Sequence, residues 1–123
     1  MAKILVIDDD PAMRRVTSHT LEAAGHNVSS YPDGRGAIAH IERDPPDLLV
    51  TDIFMPEMEG LETIGKARAL HPQMPIIAIS GVVFEGEDYL KIAGKFGAVA
   101  TLKKPFLPAE LLQAVSRLLA ERA

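Results

Sequence analysis

The 123-residue chain contains no cysteine, which removes disulfide frameworks and thiolate chemistry from consideration. No apolar run approaches the roughly 20 residues needed to span a bilayer. The N-terminal stretch MAKILVIDDD offers one lysine and a short apolar run that leads straight into acids, which makes a poor secretory signal. No basic cluster is present, and the formal net charge of −4 argues against nucleic acid as a direct partner. The four histidines (His19, His26, His40 and His71) are scattered without metal-ligand spacing and read as ordinary surface or packing residues. There is no internal repeat, linker or low-complexity stretch. By default these absences point to the cytoplasm, with no membrane or nucleic-acid partner.

What is present is a regular alternation. KILVI (3–7) is a continuous apolar run, as expected of a strand buried on both faces. Asp10 then offers an N-cap oxygen, and Pro11 suits the first helical position. Met13, Val16, Thr20 and Ala24 follow at helical spacing, with Gly25 as the closing C′ residue. HNVSSY (26–31), LLVTDIF (48–54), PIIAIS (75–80) and AVATLKK (98–104) read as further strands. Helices are expected from Asp33 or Gly34 to before Pro45, with Ala37, Ile38 and Ile41 inward, and through Leu61, Ile64, Ala67 and Leu70. Two more are expected from about Glu87 to Phe96 and from Pro108 onward, the last with Leu111, Leu112, Val115, Leu118 and Leu119 inward. Five strands alternating with five helices predict an α/β fold, a doubly wound parallel sheet with helices on both faces. The expected organisation is one domain over residues 1–123, with no output domain.

In such a sheet, ligands bind beyond the carboxyl ends of the strands. Those ends carry Asp8, Asp9 and Asp10, then Asp52, then Ser80 and Gly81, then Lys103 and Lys104 before Pro105. Adjacent carboxylates repel and resist desolvation, so a buried cluster needs a cation. Carboxylates in this number suit Mg²⁺. An Asp can also act as a nucleophile toward phosphorus, with a lysine and a metal offsetting the phosphoryl charge and a serine hydroxyl bonding one oxygen. Asp10 is more simply a helix cap.

With KILVIDDDP, VTDIFMPEMEG, IIAISG and LKKPF in order, the chain resembles the receiver domains of two-component response regulators, of the single-domain chemotaxis-regulator kind, over essentially its whole length. The resemblance implies a flavodoxin-like sheet of order 2-1-3-4-5. It implies Asp52 as phosphoacceptor and Asp8, Asp9, Asp52 and the Phe54 backbone carbonyl as the Mg²⁺ site. Lys104 would pair with the phosphoryl group, Ser80 would sense it, and the Lys104–Pro105 bond would be cis. The implied partners are a sensor histidine kinase or a histidine phosphotransfer protein as donor, and a downstream target protein. The form implied is a monomer or a phosphorylation-dependent dimer. Such a chain would catalyse its own phosphorylation and dephosphorylation. Turnover of an external substrate is not expected, because a phosphatase built on an aspartate nucleophile needs an acid where Phe54 stands. A non-phosphorylated scaffold of the same fold, or a receiver cut from a larger regulator or hybrid kinase, are the alternatives.

The sequence departs from the family pattern in three places. Thr101 stands where the family usually has an aromatic residue that follows the hydroxyl inward, so the readout is expected to shift to loop 81–86, with Val82, Val83 and Phe84. Leu107 stands where a polar N-cap belongs; it either packs or joins a contact surface. Phe54 and Val82, each two residues beyond a site residue, are apolar where the family flanks the phosphoryl group. Poor placement of an attacking water should therefore make autodephosphorylation slow. Phe54→Asn should shorten the phosphoryl lifetime when decay is followed by intact mass. A fast wild-type decay that the substitution leaves unchanged would refute this.

Overall fold

The computed structural model describes residues 2–53, 60–80, 97–104 and 106–122. Among these, β1 is Lys3–Ile7, α1 Pro11–Ala23, β2 Asn27–Tyr31, α2 Gly34–Arg43, β3 Leu48–Asp52, α3 Gly60–Leu70, β4 Ile76–Ser80, β5 Ala100–Lys103 and α4 Pro108–Arg122. The expected helix over 87–96, the loops 54–59 and 81–86, and the Lys104–Pro105 bond lie outside the described residues.

The five strands form one parallel sheet in the order β2-β1-β3-β4-β5, as the resemblance implied. The pleat sends alternate residues to opposite faces. Leu5, Ile7, Leu49, Ile76 and Ala78 meet Ala37 and Ile41 of α2 and Ile64 and Ala67 of α3. On the other face Ile4, Val6, Leu48, Val50, Ile77 and Ile79 meet Leu21 of α1 and Leu111, Val115 and Leu118 of α4. All residues of β3 and β4 are buried, which explains why their sequences run apolar without alternation.

Helix boundaries follow local chemistry. The Asp10 carboxylate accepts from the Ala12 and Met13 amides, at 3.0 and 3.4 Å, and Pro11 occupies the first turn. Asp33 caps α2 through the Gly36 amide at 3.1 Å. At the end of α1, the His26 amide reaches the Leu21 carbonyl at 3.2 Å and the Gly25 amide reaches Glu22 at 2.9 Å. This is a Schellman closure, and it places Gly25 at φ 95°, in the region glycine tolerates.

Two expectations are corrected. The inward face of α1 is set by Thr17 and Leu21, whereas Val16 is 55% exposed. A one-residue step turns a helix by about 100°, and the Thr17–Leu21 row, four apart, presents the larger apolar side chain to the sheet. Leu107 does not pack; it is 66% exposed. Its amide instead donates to the Glu110 carboxylate at 2.8 Å, the half of a capping box that needs no polar N-cap side chain. The contact surface remains an expectation.

The start of α3 is pinned against the end of β3. The Gly60 amide donates to the Ile53 carbonyl at 3.1 Å. A Cβ on Gly60 would lie 2.2 Å from the Ile53 Cα and 2.3 Å from the Asp52 carbonyl oxygen, both rigid backbone atoms. Gly60→Ala must therefore push helix and strand apart. It should cost at least about 2 kcal/mol in urea denaturation; a variant as stable as wild type would show that the close approach is not required.

Candidate functional site

Strands β1 and β3 lie side by side at the centre of the sheet, and chain direction switches between them: β1 leads through α1 to β2 on one side, while β3 leads through α3 to β4 on the other. This is the switch point at which doubly wound sheets bind ligands. Asp52 is the last residue of β3, and Asp8 follows β1 directly. Asp8 stays in the sheet edge because its amide donates to the Tyr31 carbonyl at 3.2 Å. Both acids are buried, with 3% and 5% exposure, while Asp9 faces solvent. One carboxylate oxygen from each of Asp8, Asp9 and Asp52 lies within 4.8 Å of the others.

The Lys104 ammonium completes the cluster. Its Nζ donates to Asp52 Oδ2 at 2.8 Å and to Asp8 Oδ2 at 3.0 Å. The Lys104 amide continues the β4–β5 ladder onto the Ser80 carbonyl at 2.8 Å. Ser80 is fully buried at the end of β4. Four of the residues singled out in the sequence thus gather at one edge: Asp8, Asp9, Asp52 and Lys104, with Ser80 beside them on β4. Lys103 is exposed, as expected of the lysine not assigned to the site. Thr101 is exposed on β5, in register with Ala78. Phe54 and Phe84 fall outside the described residues.

Burial drives the electrostatics. Desolvation pushes the Asp8 carboxyl above its ordinary range, and the Asp10 amide on Asp8 Oδ1 at 3.0 Å and the Lys104 ammonium offset part of that rise. Burial opposes the Lys104 charge, but the hydrogen bonds and charges of Asp52 and Asp8 outweigh it and raise the pKa of its ammonium. The donor set consists of hard carboxylate oxygens, which suits Mg²⁺ rather than a soft transition metal.

Comparison with known proteins settles the family. The profile of the response regulator receiver domain matches residues 4–116. The chain belongs to this family. It is 34% identical to the response regulator receiver protein CpdR of Brucella abortus, over 97% of this chain and 98% of that protein. It is 38% identical to an uncharacterised 14.6 kDa protein of Leptolyngbya boryana, over 93% of this chain and 87% of that one. A solved receiver domain protein from Methanospirillum hungatei superposes with a TM-score of 0.91 at 32% identity, covering 99% of this chain and 96% of the other. Other relatives are longer: the chain spans 42% and 48% of two transcriptional regulatory proteins. Receiver domains are the phosphorylation-controlled switches of two-component signalling, and they work with kinases and downstream effectors in general. The family typically binds Mg²⁺ at an acidic pocket, and this receiver has a buried acidic cluster of that kind. Among the described residues no helix is long and apolar enough to cross a membrane.

Reading the sequence missed Arg14. Its Nη1 donates to the Asp8 backbone oxygen at 2.8 Å, so it touches the acid turn directly. A cation six residues beyond Asp8 carries no spacing signal of its own; the capped start of α1 was the sole hint.

Lys104→Met would leave the buried Asp8 carboxylate beside Asp52 without its cation, and would push the folded-state pKa of Asp8 further up. An acid with a raised folded pKa contributes stability below its ordinary pKa and loses it as pH rises. The variant should therefore lose about 3 kcal/mol at pH 7, and the deficit should shrink as the pH approaches 4. Urea denaturation of metal-free protein across that range checks both parts; a deficit independent of pH would contradict them.

Proposed function

We propose that this receiver accepts a phosphoryl group onto Asp52 from the phosphohistidine of a sensor kinase or histidine phosphotransfer protein. The observation that carries this reading is the placement of Asp52 beside Lys104 and the Asp8–Asp9 pair. A carboxylate oxygen of Asp52 attacks phosphorus, a P–O bond forms, and the P–N bond breaks with its electron pair returning to the imidazole. Asp8, Asp9 and Asp52 would hold Mg²⁺, with the Phe54 carbonyl as a further ligand. When bound, the cation supplies positive charge against the phosphoryl oxygens. Lys104 already sits within hydrogen-bonding distance of the reacting carboxylate. It would become the partner of a phosphoryl oxygen once Asp52 is modified. Burial of Asp8 and Asp52 limits competing water at these two carboxylates. Ser80 is the residue assigned to sense the phosphoryl group, with the readout to a downstream protein shifted from the Thr101 position to residues 81–86 around Phe84. The compartment proposed is the cytoplasm, and residues 1–123 are read as one receiver domain.

Incubation with acetyl phosphate and Mg²⁺, followed by intact mass, tests the reading. The expected result is a gain of one phosphoryl group that Asp52→Asn abolishes. No gain with any donor would favour a scaffold of the same fold.

A further inference from the structure

We propose that Arg14 is a positioning residue that sets the direction of the Asp9 carboxylate and thereby the cation affinity of the site. The inference rests on the reading of Asp8, Asp9 and Asp52 as the Mg²⁺ site. The atom that Arg14 holds, the Asp8 carbonyl oxygen, belongs to the peptide that joins Asp8 to Asp9. That unit is planar, so holding its oxygen also fixes the Asp9 nitrogen and the first bond of Asp9. On the other side, the Asp10 amide donates to Asp8 Oδ1 at 3.0 Å. The Arg14 amide donates to the Asp10 carbonyl at 2.9 Å, which ties the turn to the first turn of α1. Residues 8 to 14 thus form a closed set of hydrogen bonds in which Asp9 alone among the acids has no bonded side-chain partner among the described residues. Its carboxylate is exposed, and the backbone that Arg14 holds fixes where its side chain starts.

The charge of Arg14 makes the argument sharper. A guanidinium this close to a cation site repels the cation, so deleting it should tighten binding if charge alone mattered. If positioning dominates, deleting it should weaken binding. The sign separates the two. Partners of this outer kind, holding the groups that meet a metal, are typically worth about 10-fold or more in affinity.

The experiment is a Mg²⁺ titration of the full chain, followed by backbone amide shifts of residues 8 to 10 and 52. Arg14→Met should bind Mg²⁺ about 10-fold more weakly than wild type. In the metal-free protein it should also move the Asp9 amide nitrogen, which senses the hydrogen bond on the adjoining carbonyl. Arg14→Lys, which keeps a donor, should recover part of the loss. Arg14→Leu, which also lacks a donor, provides the same reading should Arg14→Met fail to fold. Binding by the neutral variants as tight as wild type, or tighter, overturns the inference. A wild-type protein whose acid amides do not respond to Mg²⁺ overturns the underlying site reading instead, and the two failures look different in the same data.

Discussion

Two carboxylates buried within one cluster would repel each other strongly in a medium of low polarizability, and the Lys104 ammonium makes their burial tolerable. The rest of the architecture is arranged so that this contact can form. Asp52 ends β3, whereas Lys104 follows β5, and β4 lies between them. Two strand spacings separate the backbones by about 10 Å. A lysine closes that gap only by running extended across the end of the intervening strand. The residue that ends that strand is Ser80. The 2.8 Å bond from the Lys104 amide to the Ser80 carbonyl fixes the take-off point of that stem. Strand order and the register of β5 thus serve the same contact.

Much of this was legible in the sequence because its signals are local and strong. Continuous apolar runs marked the strands, and Asp10–Pro11 and Gly25 marked the ends of α1, where the caps and the positive φ are found. The site residues stood at strand ends, and a parallel sheet brings strand ends together whatever the details of packing. The strand order itself came from family resemblance, since alternation alone predicts a parallel sheet without saying which strands are neighbours.

What was not legible depended on rotation or on long side chains. Choosing Val16 over Thr17 as the inward position is a one-residue error in a helix whose apolar stripe is thin. Polar Thr17 can be buried there because the larger Leu21 supplies the apolar contact one turn later. Glu110 satisfying the Leu107 amide is invisible to a rule that looks for a polar side chain at the cap. Arg14 reaching back to the Asp8 carbonyl depends on which way a flexible side chain folds, and spacing does not encode that.

The charge count of the edge explains why acids and a base coexist there. Ionised, Asp8, Asp9 and Asp52 contribute three negative charges and the Lys104 ammonium bonded to Asp8 and Asp52 one positive, leaving two in excess among these four groups, while the Arg14 guanidinium is bonded to a backbone carbonyl rather than to a carboxylate. A site in that state repels an anionic phosphoryl donor. A monovalent cation would leave it negative, whereas a divalent one brings it to neutrality and makes approach of the donor electrostatically feasible. With only Asp8 and Asp52 the lysine would leave a single negative charge, and the pull on a divalent cation would be weaker. The exposed Asp9 supplies the second excess charge, and its exposure spares it the desolvation cost that Asp8 bears. The third acid of the turn, Asp10, adds little to this balance because its carboxylate is committed to the amides of α1. The run of three aspartates therefore divides into a buried charge held by lysine, an exposed charge that favours a divalent cation, and a helix cap.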